Sequence, residues 1–317
     1  MSNIKNPLVS ILIPTYNRAA LIVDSIKSAL AQKYNSFEVV IVDNASTDGT
    51  WEQIQEIAST DSRVRAFRNN TNLGPVLNWI ECARQAQGTF SKILWSDDLL
   101  APEFLARTVP LLSDPTVGFV YTSARIFNDP RTVEAGVIRY EHLPTGLYPT
   151  RLFIEGSLLD VRFPVSPGCV IMRTEDLRAN LLADIPNSVG SDFKRHAIGN
   201  DLLLLLLTAS NYEKFGVVKE PLSMFREHPG SITVSSGLKR LVIHYDMAKA
   251  YFVDGCNVDR PLRRKFNTLL WWHRRQFDGA SFGINRVQDF YPSISADTRI
   301  SFPFLLQRAL GRLFRCN

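Results

Sequence analysis

The sequence predicts an α/β protein with a mostly parallel central sheet flanked by helices, followed by a helical C-terminal extension. Three observations carry that expectation. Short β-branched runs alternate with amphipathic stretches over residues 9–122. The loops between them are only a few residues long. Polar clusters at 14–18, 43–48, 69–72 and 96–98 each follow a strand-like run. In open α/β sheets, ligands bind outside the carboxyl ends of the strands, so four clusters at such ends define a candidate site.

Residues 9–13 and 38–42 are short β-branched runs and read as buried parallel strands. Between them, residues 20–32 place Leu21, Ile22, Ile26, Ala29 and Leu30 on one helical face. A turn cluster after Asp43 leads into a helix over 51–58, a strand at Val64–Arg68 and a helix over 74–87, with Gly88 as its stop. Residues 92–95 form a fourth strand. Pro102 opens a helix that runs to Leu112, and 117–122 form a fifth strand. From about residue 125 the alternation breaks. Residues 125–168 read as loops and short strands, 201–210 as a buried helix and 216–220 as a strand. The stretch up to 236 is irregular and polar, and helices follow over 238–253 and 261–277. The expected division is 1–124 and 125–236 as two halves of one domain, with 237–317 as a basic helical extension.

Composition bounds the function. The chain has 317 residues, 45% hydrophobic and 21% charged, as expected of a soluble globular protein. The longest apolar run, residues 202–207, is far short of the ~18 residues that suggest a membrane span. No early stretch has the pattern of a signal peptide. Cysteines at 82, 169, 256 and 316 form no CxxC pair, which excludes zinc and redox motifs and fits a reduced, cytoplasmic setting. From Arg260 to the end there are eleven Lys or Arg against three Asp or Glu, a balance of +8. The total is +5, so residues 1–259 carry −3. A basic tail on a weakly acidic body points to an anionic partner for the tail alone.

No GxGxxG follows the first strand and no GxxxxGK[ST] occurs, so dinucleotide and P-loop chemistry lose their main support. A bound diphosphate then needs another neutraliser. Adjacent Asp97 and Asp98, in ILWSDDLL, suit a hard divalent cation such as Mn²⁺ or Mg²⁺ bridging to phosphate oxygens. The alternative is a solvated Asp-Asp turn capping the next helix.

Four segments occur in order: SILIPTYNR at 10–18, VIVDNASTDG at 40–49, Asn72-Leu-Gly74 and Ser96-Asp97-Asp98. Together they resemble the nucleotide-sugar-binding half of the family 2 glycosyltransferases, the inverting group with the GT-A fold. The resemblance covers roughly residues 7–235. It implies that Pro14, Thr15 and Tyr16 line a base pocket, Tyr16 stacking on the ring. It also implies that Asp43 accepts from a pyrimidine N3–H, that Asn72 and Gly74 form a loop beside the nucleotide, and that Ser96 and Asp97 meet the ribose or diphosphate. Asp98, with Asp97, would hold the metal. The alternative for Asp43 is a helix cap, although Asp48 is the more natural one. For Asn72 and Gly74 it is a simple turn. The usual Asp-x-Asp-Asp would put a carboxylate where Trp95 stands, so metal affinity is expected to be weaker and more dependent on bound nucleotide.

The same resemblance assigns the general base to Asp201, at the start of the apolar helix, with Asp192 in reserve. The alternative is an N-terminal dipole partner. The segment EPLSMFREHPGSIT at 220–233 resembles a stretch that follows the base in many bacterial members. It implies Arg226 as a stabiliser of the leaving group and His228 as a third metal or diphosphate contact. The implied protein is a metal-dependent, hexosyltransferase-type enzyme using a UDP- or dTDP-sugar. Its acceptor would be a glycan or lipid-linked hydroxyl in surface-polysaccharide synthesis. Two rivals are a non-catalytic nucleotide-sugar-binding protein and a sugar-1-phosphate nucleotidyltransferase, but the latter needs a basic Gly-rich stretch after the first strand.

In the tail, Phe302, Leu305, Leu306, Ala309, Leu310 and Leu313 recur at helical spacing, with Arg308, Arg312 and Arg315 opposite. That pattern fits an interfacial helix on an anionic membrane, which would make the protein cytoplasmic and peripheral. It equally fits a helix packed on the protein itself. No nucleic-acid motif accompanies the charge.

Overall fold

The computed structural model describes residues 6–313, without the side chains of 130–131, 232–233 and 309–313. The first half alternates as the spacing predicts. β1 (Val9–Thr15), α1 (Ile22–Leu30), β2 (Phe37–Asp43), α2 (Thr50–Thr60), β3 (Val64–Arg68), α3 (Pro75–Gln85) and β4 (Phe90–Ile93) lead to the two-residue β5 (Leu99–Leu100), α4 (Phe104–Leu112) and β6 (Val117–Phe127). Then come β7 (Val137–Arg139), β8 (Gly146–Pro149), α5 (Thr150–Leu158), β9 (Val170–Arg173), α6 (Thr174–Asn180), the single-turn α7 (Phe193–His196) and α8 (Asn200–Ala209). β10 (Lys214–Arg226), α9 (Ile232–Ser236), α10 (Leu238–Gly255), α11 (Arg260–Gln276) and α12 (Phe302–Leu313) complete the chain.

The strands form one sheet in the order β3-β2-β1-β4-β9-β6-β10-β5, with β7 on β6 and β8 on β10. β3, β2, β1 and β4 are mutually parallel. Antiparallel β9 interrupts this order between β4 and β6, and β6 and β10 are again parallel. The 128–169 excursion is not a single crossover helix, and the chain enters β9 at the same end of the sheet at which it left β6.

Both sheet faces are covered, which is why the central strands read as continuous apolar runs. Alternate residues serve opposite cores. Ile11, Ile13, Val39 and Ile41 pack with Ile22, Ile26, Phe104 and Leu105 of α1 and α4. Leu12, Val40 and Val42 pack with Val76 and Trp79 of α3 and with the buried α8 leucines. α10 and α11 add Ile243, Met247, Phe252, Phe266 and Leu270 to that second core, so these two helices are packed onto the body.

Some elements differ from expectation. α3 ends at Gln85 with Ala86 as its cap, so Gly88 does not stop it. Gly88 instead lets two backbones meet: its N–H donates to Ser10 Oγ at 2.8 Å, and a Cβ there would stand 2.6 Å from Ser10 N. α4 begins at Phe104, two residues after Pro102. α5 lies in the stretch read as loop, and β10 is much longer than 216–220 because it pairs in turn with β6, β8 and β5.

α12 is tethered through its approach. Asn267 Nδ2 donates to the carbonyls of Asp297 (2.8 Å) and Arg299 (2.9 Å), and Ser301 N–H donates to Thr268 Oγ1 at 2.9 Å. Phe304 and Leu305 are partly buried, whereas Phe302 and Leu306 are 69% and 63% exposed. The side chains of Ala309, Leu310, Arg312 and Leu313, and residue Arg315, lie outside the described residues. Among the described residues no helix is long and apolar enough to cross a membrane.

Candidate active site

Strand register builds the first half of the site. Thr15 ends β1 opposite Asp43, which ends β2, and Asp43 lies opposite Arg68, which ends β3. Pro14 lies on the same edge, opposite Val42. Asp43 is fully buried. Its Oδ2 accepts from Ser46 N–H (3.1 Å) and meets Arg68 Nε at 3.2 Å. Its Oδ1 has no partner although it is buried, and neither has the Thr15 hydroxyl. Buried acceptors of this kind are nearly always satisfied, so this carboxylate oxygen is left with the capacity to accept a hydrogen bond. Asp48 does take the start of α2, accepting from Thr50 N–H at 3.1 Å, as expected. Tyr16, next in the chain, is 41% exposed.

Asn72 and Gly74 are tied into their own loop. Asn72 Oδ1 accepts from Gly74 N–H and from Asn44 Nδ2, both at 2.9 Å. Asn44 is the hub that the sequence reading missed. Its Oδ1 accepts from Asn69 Nδ2 and Leu73 N–H, both at 3.0 Å. Asn78 carries the network to the strands, donating to Val42 O at 3.1 Å. Asn44 and Asn69 fall inside polar clusters named at the outset, and their spacing gave no hint of this role.

Strand pairing also builds the second half. β5 follows Asp98 directly and runs antiparallel to β10, with Met224 opposite Leu99. The end of β10 is thereby laid against the two acids. Asp98 Oδ1 accepts from Arg226 N–H at 2.8 Å, and Asp97 Oδ2 meets His228 Nε2 at 2.9 Å. His228 Nδ1 accepts from Gly230 N–H, which places the ring proton on Nε2, facing Asp97. Arg18 Nε stands 3.7 Å from the same Asp97 oxygen; it is a further basic group at this edge. The Arg226 guanidinium is turned to Asp24 of α1, at 3.2 Å, and its Nε is unpaired. Ser96 is buried beside the acids.

Burial, reinforced by Asp97, pushes the Asp98 carboxyl well above the usual carboxylate range, against the Arg226 amide and the charges of Lys92 and Arg226. Lys92 is fully buried on β4, and burial lowers its ammonium to about 7. Among the described residues no three His, Cys, Asp or Glu side chains are grouped to hold a metal ion by themselves. The residues do suit a cation carried in by a diphosphate. Two repelling carboxylates, one of them buried, gain from a positive charge, and an imidazole stands beside them.

Trp95 is partly buried and engages the body of the protein. Its ring lies 4.8 Å from Trp79, centroid to centroid, and its Nε1–H donates to Ser166 Oγ at 3.0 Å. A Cβ at Gly168 would stand 2.7 Å from that nitrogen. The indole is a partly buried side chain packed against the core.

Asp201 opens α8. Its Oδ1 accepts from Leu202 N–H (2.9 Å) and Gly199 N–H (3.1 Å), and its Oδ2 accepts from the Tyr245 hydroxyl at 2.8 Å. Burial raises its pKa to about 6, against the pull of these hydrogen bonds. It makes no hydrogen bond or ion pair with the acids of the sheet edge among those described. The preceding segment does approach that edge: a Cβ at Gly74 would lie 3.6 Å from Lys194 O. Asp192 caps α7, accepting from Arg195 N–H at 3.2 Å.

Sheet order, an acidic turn at its edge and a helix-borne carboxylate define the class: a GT-A-type α/β fold. The chain belongs to glycosyl transferase family 2, whose family profile matches residues 10–180. It is similar to the proposed colanic acid biosynthesis glycosyl transferase WcaA of Escherichia coli K12, 31% identical over 165 residues, 49% of this chain and 55% of that one. It is also similar to the Escherichia coli UDP-Glc:alpha-D-GlcNAc-diphosphoundecaprenol beta-1,3-glucosyltransferase WfaP, 34% identical over 123 residues, 38% of this chain and 48% of that one. The chain thus spans about half the length of these curated relatives. Among solved structures, residues 1–349 of S. aureus TarS in complex with UDP-GlcNAc superpose with a TM-score of 0.65 at 19% identity, over 87% of this chain and 75% of that one. That likeness is one of fold.

Proposed function

We propose that the protein is an inverting glycosyltransferase that moves a sugar from a UDP- or dTDP-sugar to a hydroxyl of a glycan or lipid-linked acceptor. The β5–β10 pairing carries this reading, because it sets Asp98 on the Arg226 amide and Asp97 on His228 at the sheet edge that ends in Asp43. In this reading the unpaired Asp43 Oδ1 accepts from the base N3–H, and Thr15 and the Tyr16 ring line the base pocket beside Pro14. The Asn72–Gly74 loop, held by Asn44, walls the nucleotide. Ser96 and Asp97 meet the ribose and diphosphate.

Asp97 and Asp98 would hold a Mn²⁺ or Mg²⁺ ion, and His228 would join them by giving up its bond to Asp97. When bound, the cation neutralises charge on the diphosphate. Arg226, released from Asp24, and Arg18 add positive charge where the leaving group develops its own. The acceptor oxygen attacks the anomeric carbon while the bond to the diphosphate oxygen breaks and its electron pair leaves with the nucleotide. Asp201 Oδ2 takes the acceptor proton. One displacement inverts the anomeric centre. Residues 1–124 would serve the donor and 125–236 the acceptor and base. The basic extension 237–317 would serve an anionic membrane surface on the cytoplasmic side. The names of WcaA and WfaP support a role in surface-glycan assembly.

Thermal shift with UDP, dTDP and GDP, each with and without Mn²⁺, tests the donor site, since a ligand that binds the native state raises the melting temperature. A rise with UDP or dTDP, larger with Mn²⁺, is the expected result. No shift with any nucleotide would sink the reading.

A further inference from the structure

Behind the proposed base lies a pocket of about 370 Å³, between the end of α5, the 159–165 loop, α8, α10 and α11. Its size falls in the range of small-molecule sites. The walls are apolar and include Val161, Phe163, Leu202, Leu241 and Val242. The mouth is wet, with Leu238 66% and Val161 51% exposed.

The floor holds four charged or titratable groups that satisfy one another. Lys249 Nζ meets Asp160 Oδ1 at 2.6 Å, His273 Nδ1 meets Asp246 Oδ2 at 2.8 Å, and His273 Nε2 meets Asp160 Oδ2 at 3.4 Å. Two acids against a lysine and a histidine leave no strong demand for a counter-ion, so a charged ligand gains little here. One polar atom is left over. Ser157 lines the pocket and is 6% exposed, and its buried hydroxyl has no hydrogen-bond partner. Such an atom awaits a donor or acceptor from outside.

The pocket also touches the proposed chemistry. Tyr245 is one of its walls and donates to Asp201 Oδ2 at 2.8 Å, and Leu202 is the residue after Asp201. We propose that this pocket binds the uncharged apolar portion of the acceptor, with a hydroxyl or carbonyl group on Ser157, and so presents the acceptor hydroxyl to Asp201. This deepens the glycosyltransferase reading and rests on it. It also assigns a task to the C-terminal helices α10 and α11, which lie outside the matched family segment.

The probe is n-octyl β-D-glucopyranoside, kept below its micellar threshold, titrated calorimetrically into the full chain against methyl β-D-glucopyranoside. The expected result is saturable one-to-one binding of the octyl compound alone. Val242→Trp, which fills the pocket, should weaken that binding at least tenfold, and Ser157→Ala should weaken it severalfold. Val161→Trp, at the exposed rim, replaces Val242→Trp if the latter fails to fold. Donor affinity and the slow hydrolysis of UDP-glucose or UDP-N-acetylglucosamine should stay unchanged in every variant. Octyl glucoside binding that is absent, or indifferent to both tryptophans, would overturn the pocket. Wild-type protein that binds octyl glucoside but neither binds nor hydrolyses any nucleotide sugar would overturn the acceptor assignment through the function it rests on.

Discussion

At the scale of single residues, the two acids of ILWSDDLL do different work. Asp97 faces His228 and Arg18, whereas Asp98 is buried against the Arg226 amide. Trp95 stands where the common motif has a third acid, and here it is committed to Trp79 and Ser166. Trp95→Asp should therefore not create a stronger metal site. It should bury a carboxylate in the core and cost on the order of 3–5 kcal/mol, as large aromatic deletions do. Chemical denaturation would show it; an unchanged midpoint with tighter Mn²⁺ binding would contradict it. Asp43→Ala should weaken UDP binding by roughly 10–100-fold, the loss of a charged hydrogen bond of about 1.5–3 kcal/mol. Calorimetric titration with UDP measures this, and unchanged affinity would move the base elsewhere. The Asp201 carboxyl, raised by burial to about 6, must be ionised to accept a proton. Turnover should therefore be flat above that pH and fall about tenfold per unit below it. A profile flat to pH 5 would exclude Asp201. The places of Asp43 at the end of β2, of Asp97 and Asp98 after β4 and of Asp201 at the start of α8 were legible from sequence. Arg68, Asn44 and Ser157 were not, because their significance comes from strand register and from unpaired atoms that only packing reveals.

At the scale of elements, alternation of apolar runs was enough to read β1 through α4 to within a few residues. It failed where pairing is antiparallel or partners are distant in sequence. β5 is too short to recognise alone and exists because β10 pairs with it. α5 was hidden among Pro, Gly and Arg residues and is fixed by packing of Phe153 and Leu158 into the core. The 185–200 segment is held to α10 by a relay. His196 Nε2 meets Ser191 Oγ at 3.0 Å, and that hydroxyl meets His244 Nε2 at 2.9 Å. His196 Nδ1 accepts from Ile198 N–H, so that ring is neutral, and His244 Nδ1 donates to Arg240 O. Burial, then His244 and Arg240, lowers His196 to about 3, and burial lowers His244. Folded-state values below the unfolded ~6.5 mean stability that is present above pH 6.5 and lost as pH falls through it. Urea midpoints at pH 7.5 and 5.5 should separate more in the wild type than in a His196→Asn, His244→Asn double variant. Equal separations would show that the relay does not titrate with folding.

At the scale of the whole molecule, charge and fold divide the labour. The candidate site residues lie at the sheet edge and on α8, while the +8 balance gathers from Arg260 onward. α12 leaves Phe302 and Leu306 exposed beside Arg308, whose guanidinium lies 5.7 Å from the Phe304 ring. Removing residues 302–317 leaves the Asn267 bonds to Asp297 and Arg299 in place. That truncation should keep the melting temperature within a few degrees and lose co-sedimentation with phosphatidylglycerol vesicles, while neither form binds phosphatidylcholine. Full-length protein that ignores phosphatidylglycerol would assign α12 to the protein's own surface. Sequence alone could not separate these two roles, since an amphipathic helix has the same periodicity on a membrane as on a core.

In the proposed reaction, donor binding at the sheet edge and proton removal at α8 are separate tasks, and Asp201→Asn should divide them. Calorimetry with Mn²⁺ and the best-binding nucleotide sugar would be set beside transfer to an alkyl glycoside acceptor for wild type and variant. Donor affinity within about twofold of wild type, with transfer reduced at least a hundredfold, is the predicted result. Near-normal transfer by Asp201→Asn would contradict it.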